Sequence, residues 1–205
     1  MRRPWVIVSA AVVLLGLAAC GPTPEAEPTP TASASATASP TPSPTPEPVA
    51  LELPGCEELL TIEEARALFS GNTEFFGETP GADFTGRFEI PEIATAIAGS
   101  AQSKTCRWGV PNSDGSFSLL VAEIAPADRA ALTTALTAAG FASSTTGAVT
   151  TLELERDGMV STESAVHLFT GDVWILSDGT GLAVSGPVAV SALDAIRAAN
   201  PTLGL

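Results

Sequence analysis

The chain is poor in positive charge. Nine basic residues stand against 23 acidic ones, giving a net charge of −14 over 205 residues. Such a surface repels phosphate backbones and anionic lipid headgroups, so nucleic-acid binding is excluded as a function class. Histidine is nearly missing, with His167 alone. There is no Gly-x-Ser-x-Gly elbow and no Ser-x-x-Lys pair, so the common activated-serine motifs are absent. No Cys-x-x-Cys occurs, and none of the Asp-Gly dipeptides has the ligand spacing of a calcium loop. No metal or cofactor is expected on these grounds. No apolar run near the N-terminus reaches the roughly 20 residues that a bilayer-spanning helix needs.

What stands there instead is a shorter run. Trp5 to Ala19 is uncharged and mostly apolar, with Arg2 and Arg3 just before it. A positive start, a short apolar middle and a small-residue finish are the parts of a secretory signal peptide. Residues 1–19 are therefore expected to direct export.

The cysteines number three, and an odd count in an exported chain requires an explanation. The stretch Leu17-Ala18-Ala19-Cys20-Gly21 resembles the bacterial lipobox over its whole short pattern. That resemblance implies that Cys20 carries a diacylglycerol and becomes the N-terminus after cleavage. The membrane is then a partner through the lipid, and the chain sits on the extracytoplasmic face of the cell membrane. Each buried methylene contributes about 0.8 kcal/mol, so one acyl chain holds marginally and more than one holds stably. Setting Cys20 aside leaves Cys56 and Cys106. Outside the reducing cytosol such a pair is most often a disulfide. The alternatives, a redox pair or a metal site, have neither the spacing nor a nearby histidine.

Residues 20–50 read as an unfolded tether. Between Gly21 and Ala50 there are nine prolines, and no basic or aromatic residue. Too little apolar surface is present to offset the entropy of ordering. Residues 51–205 are enough for one domain with a real core.

Within that domain, Thr61 and Glu64 form a capping-box pattern ahead of a helix whose apolar face is Ile62, Ala65, Leu68 and Phe69. Residues 72 to about 89 read as loop. Pro91 opens a short helix with Ile93, Ala94, Ile97 and Ala98 on a common face. Two strands follow, "TCRWGV" and "FSLLVAEI", joined through Asp114-Gly115. Pro126 and Asp128 begin a longer helix that Gly140 ends. "VTTLELER" alternates as a strand, and "AVHLFTGDVWILSDGTGLAVSG" reads as two or three more. A last helix covers about Val190 to Ala199, before Asn200-Pro201. Hairpin-length connections imply antiparallel pairing. The expected fold is α+β, an antiparallel sheet of about five strands with helices packed on one face.

"GCEELLTIEEARALF", followed some 50 residues later by "CRW", resembles a family of exported actinobacterial lipoproteins of unknown function. They share a lipobox, a Pro/Ser/Thr tether, a cysteine before an LLT-type helix and a second cysteine near a tryptophan. The resemblance covers Cys20 and Cys56 to Trp108 best, and it implies an anchored extracytoplasmic domain without an activity to transfer.

Candidate chemistry is thin. His167 shares a strand face with Ala165 and Phe169 and has no nucleophile motif pointing at it. Glu153 and Glu155 share a strand face and could pair as carboxylates. Trp108 and Trp174 are expected as core, with an aromatic binding cleft as the alternative. The favoured reading is a non-enzymatic binding or sensing domain, its partner an envelope component or another protein. An envelope hydrolase using carboxylates is the alternative, and a lipid carrier, which needs an apolar cavity, is a third.

Overall fold

The computed structural model describes residues 49–159 and 161–205. The expected signal peptide, Cys20 and nearly all of the tether lie outside them. In chain order the elements are α1 (Cys56–Leu59), α2 (Ile62–Leu68), β1 (Glu74–Pro80), a short 3₁₀ turn (Gly81–Asp83), α3 (Pro91–Gly99), β2 (Gln102–Gly109), β3 (Ser116–Glu123), α4 (Pro126–Ala138), β4 (Ala142–Thr146), β5 (Val149–Asp157), β6 (Thr162–Thr170), β7 (Val173–Gly179) and α5 (Leu182–Ala199).

The capping box forms as its sequence demands. The Thr61 amide donates to Glu64 Oε2 at 2.9 Å, and the Glu64 amide donates back to Thr61 Oγ1 at 3.3 Å. This satisfies donors that a helix start otherwise leaves orphaned. Gly140, at φ +96°, ends α4 by taking the left-handed conformation that side chains disfavour.

All strands pair antiparallel in one sheet, in the order β1-β2-β3-β7-β6-β5-β4. Two meanders, β1-β2-β3 and β4-β5-β6-β7, meet where β3 pairs with β7. The class is therefore α+β, but with seven strands among the described residues rather than about five. The two extra strands are the sheet edges. Every residue of β4, "ASSTT", is exposed, so it has no apolar alternation to announce it. β1, "EFFGETP", is interrupted by a bulge at Phe76, after which Gly77 takes φ +132°.

Helices pack on both faces, not on one. Alternation along a strand sends neighbouring side chains to opposite faces. In β3, Leu119 and Val121 join a core beneath α1, α2 and α5, while Leu120 and Ala122 join a second core beneath α3 and α4. A strand buried on both sides reads as a continuous apolar run, and "SLLVA" and "VWIL" are such runs. The Cys56–Cys106 disulfide closes within the first core and staples α1 to β2, with a Cα–Cα distance of 5.5 Å and 50 residues between its ends. Chain entropy assigns a loop of that length about 4 kcal/mol of stabilisation.

α5 begins eight residues before the expected Val190, at Leu182, and carries Pro187 inside it. Gly181, at φ +142°, makes the turn into it. α5 is long and apolar enough to cross a membrane, yet Val188, Ala189, Ala192, Leu193 and Ile196 bury one side of it against the sheet. At its C-terminus Asn200 grips the incoming chain. Its Nδ2 donates to the Glu52 carbonyl at 2.7 Å, and its Oδ1 accepts from the Glu52 amide at 2.8 Å.

Candidate functional site

The second face of the sheet is covered unevenly. α3 and α4 lie over its β7-β6-β5 part, where Trp174, Leu176, Phe169 and Leu152 fill the core. Towards β1 and β2, and at the start of β3, the inward positions carry polar side chains instead. Thr105 and Arg107 on β2, Ser116 and Ser118 on β3, and Asp178 at the end of β7 all line one cleft of about 500 Å³. Its outer wall is the segment from Asp83, the last residue of the 3₁₀ turn, to Arg87. Phe76, 47% exposed, stands at the rim beside Gly109. A Cβ on Gly109 would lie 2.7 Å from the Phe76 ring, so glycine is what lets the aromatic settle there.

Arg87 anchors this wall. Its backbone amide donates to Asp178 Oδ2 at 2.8 Å, and its Nη2 donates to the Ser116 carbonyl at 2.9 Å. Its Nε lies 3.1 Å from Asp178 Oδ1, close enough for ion pairing though not aligned as a hydrogen bond. From the far side, Arg156 donates to the Arg87 carbonyl at 2.9 Å while its guanidinium sits 4.4 Å over the Phe88 ring. Glu163 holds Arg156 in turn, at 2.8 Å. The segment is thus a strap pinned at both edges.

Burial pushes the Asp178 carboxyl from its ordinary 3.8 up to about 6, and the nearby Glu163 charge adds to the rise; the Arg87 amide and guanidinium oppose it. Arg107 is exposed and has no carboxylate within ion-pair distance among the described residues. Its Nη2 donates to Ser116 Oγ at 3.3 Å. Thr105 is 7% exposed, and its hydroxyl has no hydrogen-bond partner among the described residues. Burying an unpaired hydroxyl is costly. Thr73, Thr170 and Ser177 carry unpartnered hydroxyls too, but Thr105 is the one lining this cleft. The cleft therefore offers guanidinium donors, carboxylate acceptors and several hydroxyls able to do both.

The residues singled out from sequence fall elsewhere. Trp108 and Trp174 are fully buried, in the first and second core respectively, and neither lines the cleft. Trp108 stacks on Phe117 with ring centroids 5.5 Å apart. His167 is also fully buried. Its Nδ1 accepts from the Trp174 indole N–H at 3.2 Å, which places the ring proton on Nε2, an atom with no partner among the described residues. Burial lowers its pKa from 6.5 to about 3, so the ring is neutral. Glu153 and Glu155 lie on the opposite face of the sheet from His167, since Leu152 pairs with His167 and Glu153 with Val166. Glu155 accepts from the Leu182 amide at 2.7 Å and so helps start α5. Among the described residues the Glu153 and Glu155 carboxylates are not brought to His167, the sheet lying between them. Among the described residues no group of three or more His, Cys, Asp or Glu side chains is placed to hold a metal ion.

Asp178 is not among the residues that the sequence singles out, because it stands in an Asp-Gly dipeptide at the end of "VWILSDG". The available signal was period two: Trp174, Leu176 and Asp178 share one face of β7, so the last of them points inward. No protein-family profile, curated protein or solved structure matches this chain.

Proposed function

We propose that this chain is an extracytoplasmic lipoprotein, anchored by a lipid on Cys20, of the kind its N-terminal half resembles. Its folded domain binds a small hydroxyl-rich ligand, such as the sugar end of an envelope glycan, in the cleft beneath the strap. One observation carries the binding half of this reading: an opening lined by Arg107 without an acidic partner, the unpaired Thr105 hydroxyl and the Ser116 and Ser118 hydroxyls, under the exposed Phe76 ring. A polyol offers donors and acceptors in the same mixture, and its C–H faces suit an aromatic rim. Pockets that fix a ligand with a few convergent polar groups are the usual form of a binding site.

The test uses the mature chain from residue 20 with Cys20→Ser, exported behind an ordinary signal peptide. Isothermal titration against methyl glycosides and disaccharides of envelope sugars should find a saturable ligand. Arg107→Ala should weaken that ligand about tenfold, the usual loss for one hydrogen bond to a charged group. Binding indifferent to Arg107→Ala would sink the assignment of the cleft. Anchoring has its own test. A labelled fatty acid should mark the wild-type protein in cells and leave Cys20→Ala unmarked.

A further inference from the structure

The strap has two sides, and only one faces the cleft. On the other, between the strap and α3, runs an apolar groove of about 710 Å³, lined by Phe84, Phe88, Ile90, Ile93, Ala94 and Ile97, with Ala98 at its end. α3 accounts for the placement. The expected common face was Ile93, Ala94, Ile97 and Ala98, but Ala96 is the buried partner of Ile93 and Ile97, and Ala94 and Ala98 are exposed. Small side chains on the solvent side of an apolar helix leave a trough where larger ones would fill it. Glu89 is the one charged residue lining this groove.

Groove and cleft are neighbours on either side of the strap. Thr85 and Gly86 line both, so a single crossing of the chain is all that separates them. Side chains alternate along the crossing: Phe84 and Phe88 line the groove, and Arg87 lines the cleft. A Cβ on Gly86 would lie 2.8 Å from the Phe84 ring and 3.4 Å from Asp178 Oδ2, so glycine is what lets the Phe84 ring lie against the crossing. The groove follows α3 from Pro91 to Ala98, about 11 Å at the helical rise.

We propose that the ligand is an amphiphile, with a hydroxyl-rich head in the cleft and an alkyl chain laid across Thr85–Gly86 into the groove. This rests on the reading of the cleft given above and adds the second half of the molecule. A wholly polar ligand would leave the groove empty, and a wholly apolar one would leave the Thr105 hydroxyl and Arg107 unpaired. Burial of successive methylenes makes affinity climb with chain length.

The experiment compares methyl β-glucoside with hexyl and octyl β-glucosides, each below its critical micelle concentration, and 1-octanol as the chain alone. The protein is the mature Cys20→Ser chain. Affinity is expected to rise with chain length, octyl glucoside binding at least tenfold tighter than methyl glucoside. Ala94→Glu with Ala98→Glu should erase that gain and leave methyl glucoside binding unchanged; both positions are exposed, so the fold is spared, and an unaltered circular dichroism melt checks this. Thr105→Val should weaken both glycosides. Octyl glucoside binding no tighter than methyl glucoside overturns the amphiphile and leaves the cleft reading intact. A chain-length gain that survives the double Glu variant also overturns it, since the chain then lies elsewhere. Failure of every glucoside to bind, or binding indifferent to Thr105→Val, overturns the cleft reading and the amphiphile together.

Discussion

The two halves of the sheet's second face belong to one continuous sheet and differ in what covers them. Over β7-β6-β5, α4 and Phe141 seal an aromatic stack in which His167, Phe169 and Trp174 lie nearly parallel. Over β1-β2-β3, a strap without secondary structure leaves an open polar cleft. Each half buries one titratable group, and the two are displaced in opposite directions for the same reason. Desolvation penalises the charged form, which lowers a base and raises an acid. His167 in the sealed half is held neutral and cannot meet a ligand. Asp178 in the open half lines the cleft while both of its oxygens face Arg87. Burial alone therefore does not mark a site; burial beside an opening does.

The largest effect expected from this contrast is on the sealed side. Trp174→Ala removes a fully buried indole and the donor to His167 Nδ1. Truncations of this kind cost about 3–5 kcal/mol. Urea denaturation should show that loss as a shifted midpoint. A cost below about 1 kcal/mol would mean that the half described as sealed is loosely packed, and the comparison would fail.

Next in size is the pH dependence of stability, where the two groups pull against each other. The folded state holds His167 unprotonated down to about 3, whereas the unfolded chain takes up that proton near 6.5. Between those values the unfolded state binds more protons, so this contribution is lost as pH falls. Asp178 behaves in the opposite sense. Its folded value near 6 lies above the ordinary 3.8, so the folded state binds the extra proton in that window. Its contribution is present below 3.8 and lost as pH rises through 6. Each proton gives a slope of up to about 1.4 kcal/mol per pH unit. Relative to wild type, His167→Gln should gain stability steadily as pH falls from 6.5 towards 3. Asp178→Asn should instead lose its relative advantage as pH falls from 6 to 4. Difference curves that slope the same way with pH for both variants would refute the opposed shifts.

How much of this could be read beforehand depends on whether a local pattern carried it. The α2 capping box, α3, the β2-β3 hairpin and the Cys56–Cys106 bridge were legible because each is set by residues close in sequence or by a cysteine count. The edge strands were not. β4 has no buried side chain, and β1 spends its alternation on a bulge at Phe76. The second helical layer was signalled by the unbroken apolar runs of β3 and β7, which alternation-based reading passes over. The site was the least legible part. Arg87 and Asp178 are 91 residues apart, and Thr105 reads as an ordinary strand residue until the cleft beside it is seen. Chemistry assembled from four strands and a loop leaves no motif in any one of them.

The smallest stability effect expected is also the one that separates packing from binding. Thr105→Val replaces an unpartnered, buried hydroxyl with a methyl group of similar shape. Removing an unpaired polar group from a buried position is neutral or stabilising, here by no more than about 1 kcal/mol. If the hydroxyl exists to pack the sheet, the variant should lose nothing that matters. If it exists to meet a ligand, the same variant should melt at or above the wild-type temperature and yet bind a glycoside about tenfold more weakly. Trp174→Ala should do the reverse, losing stability while the folded fraction keeps its affinity. A Thr105→Val protein that is markedly less stable would show that the hydroxyl already has its partner inside the fold, and the open half of the face would then be no more a site than the sealed one.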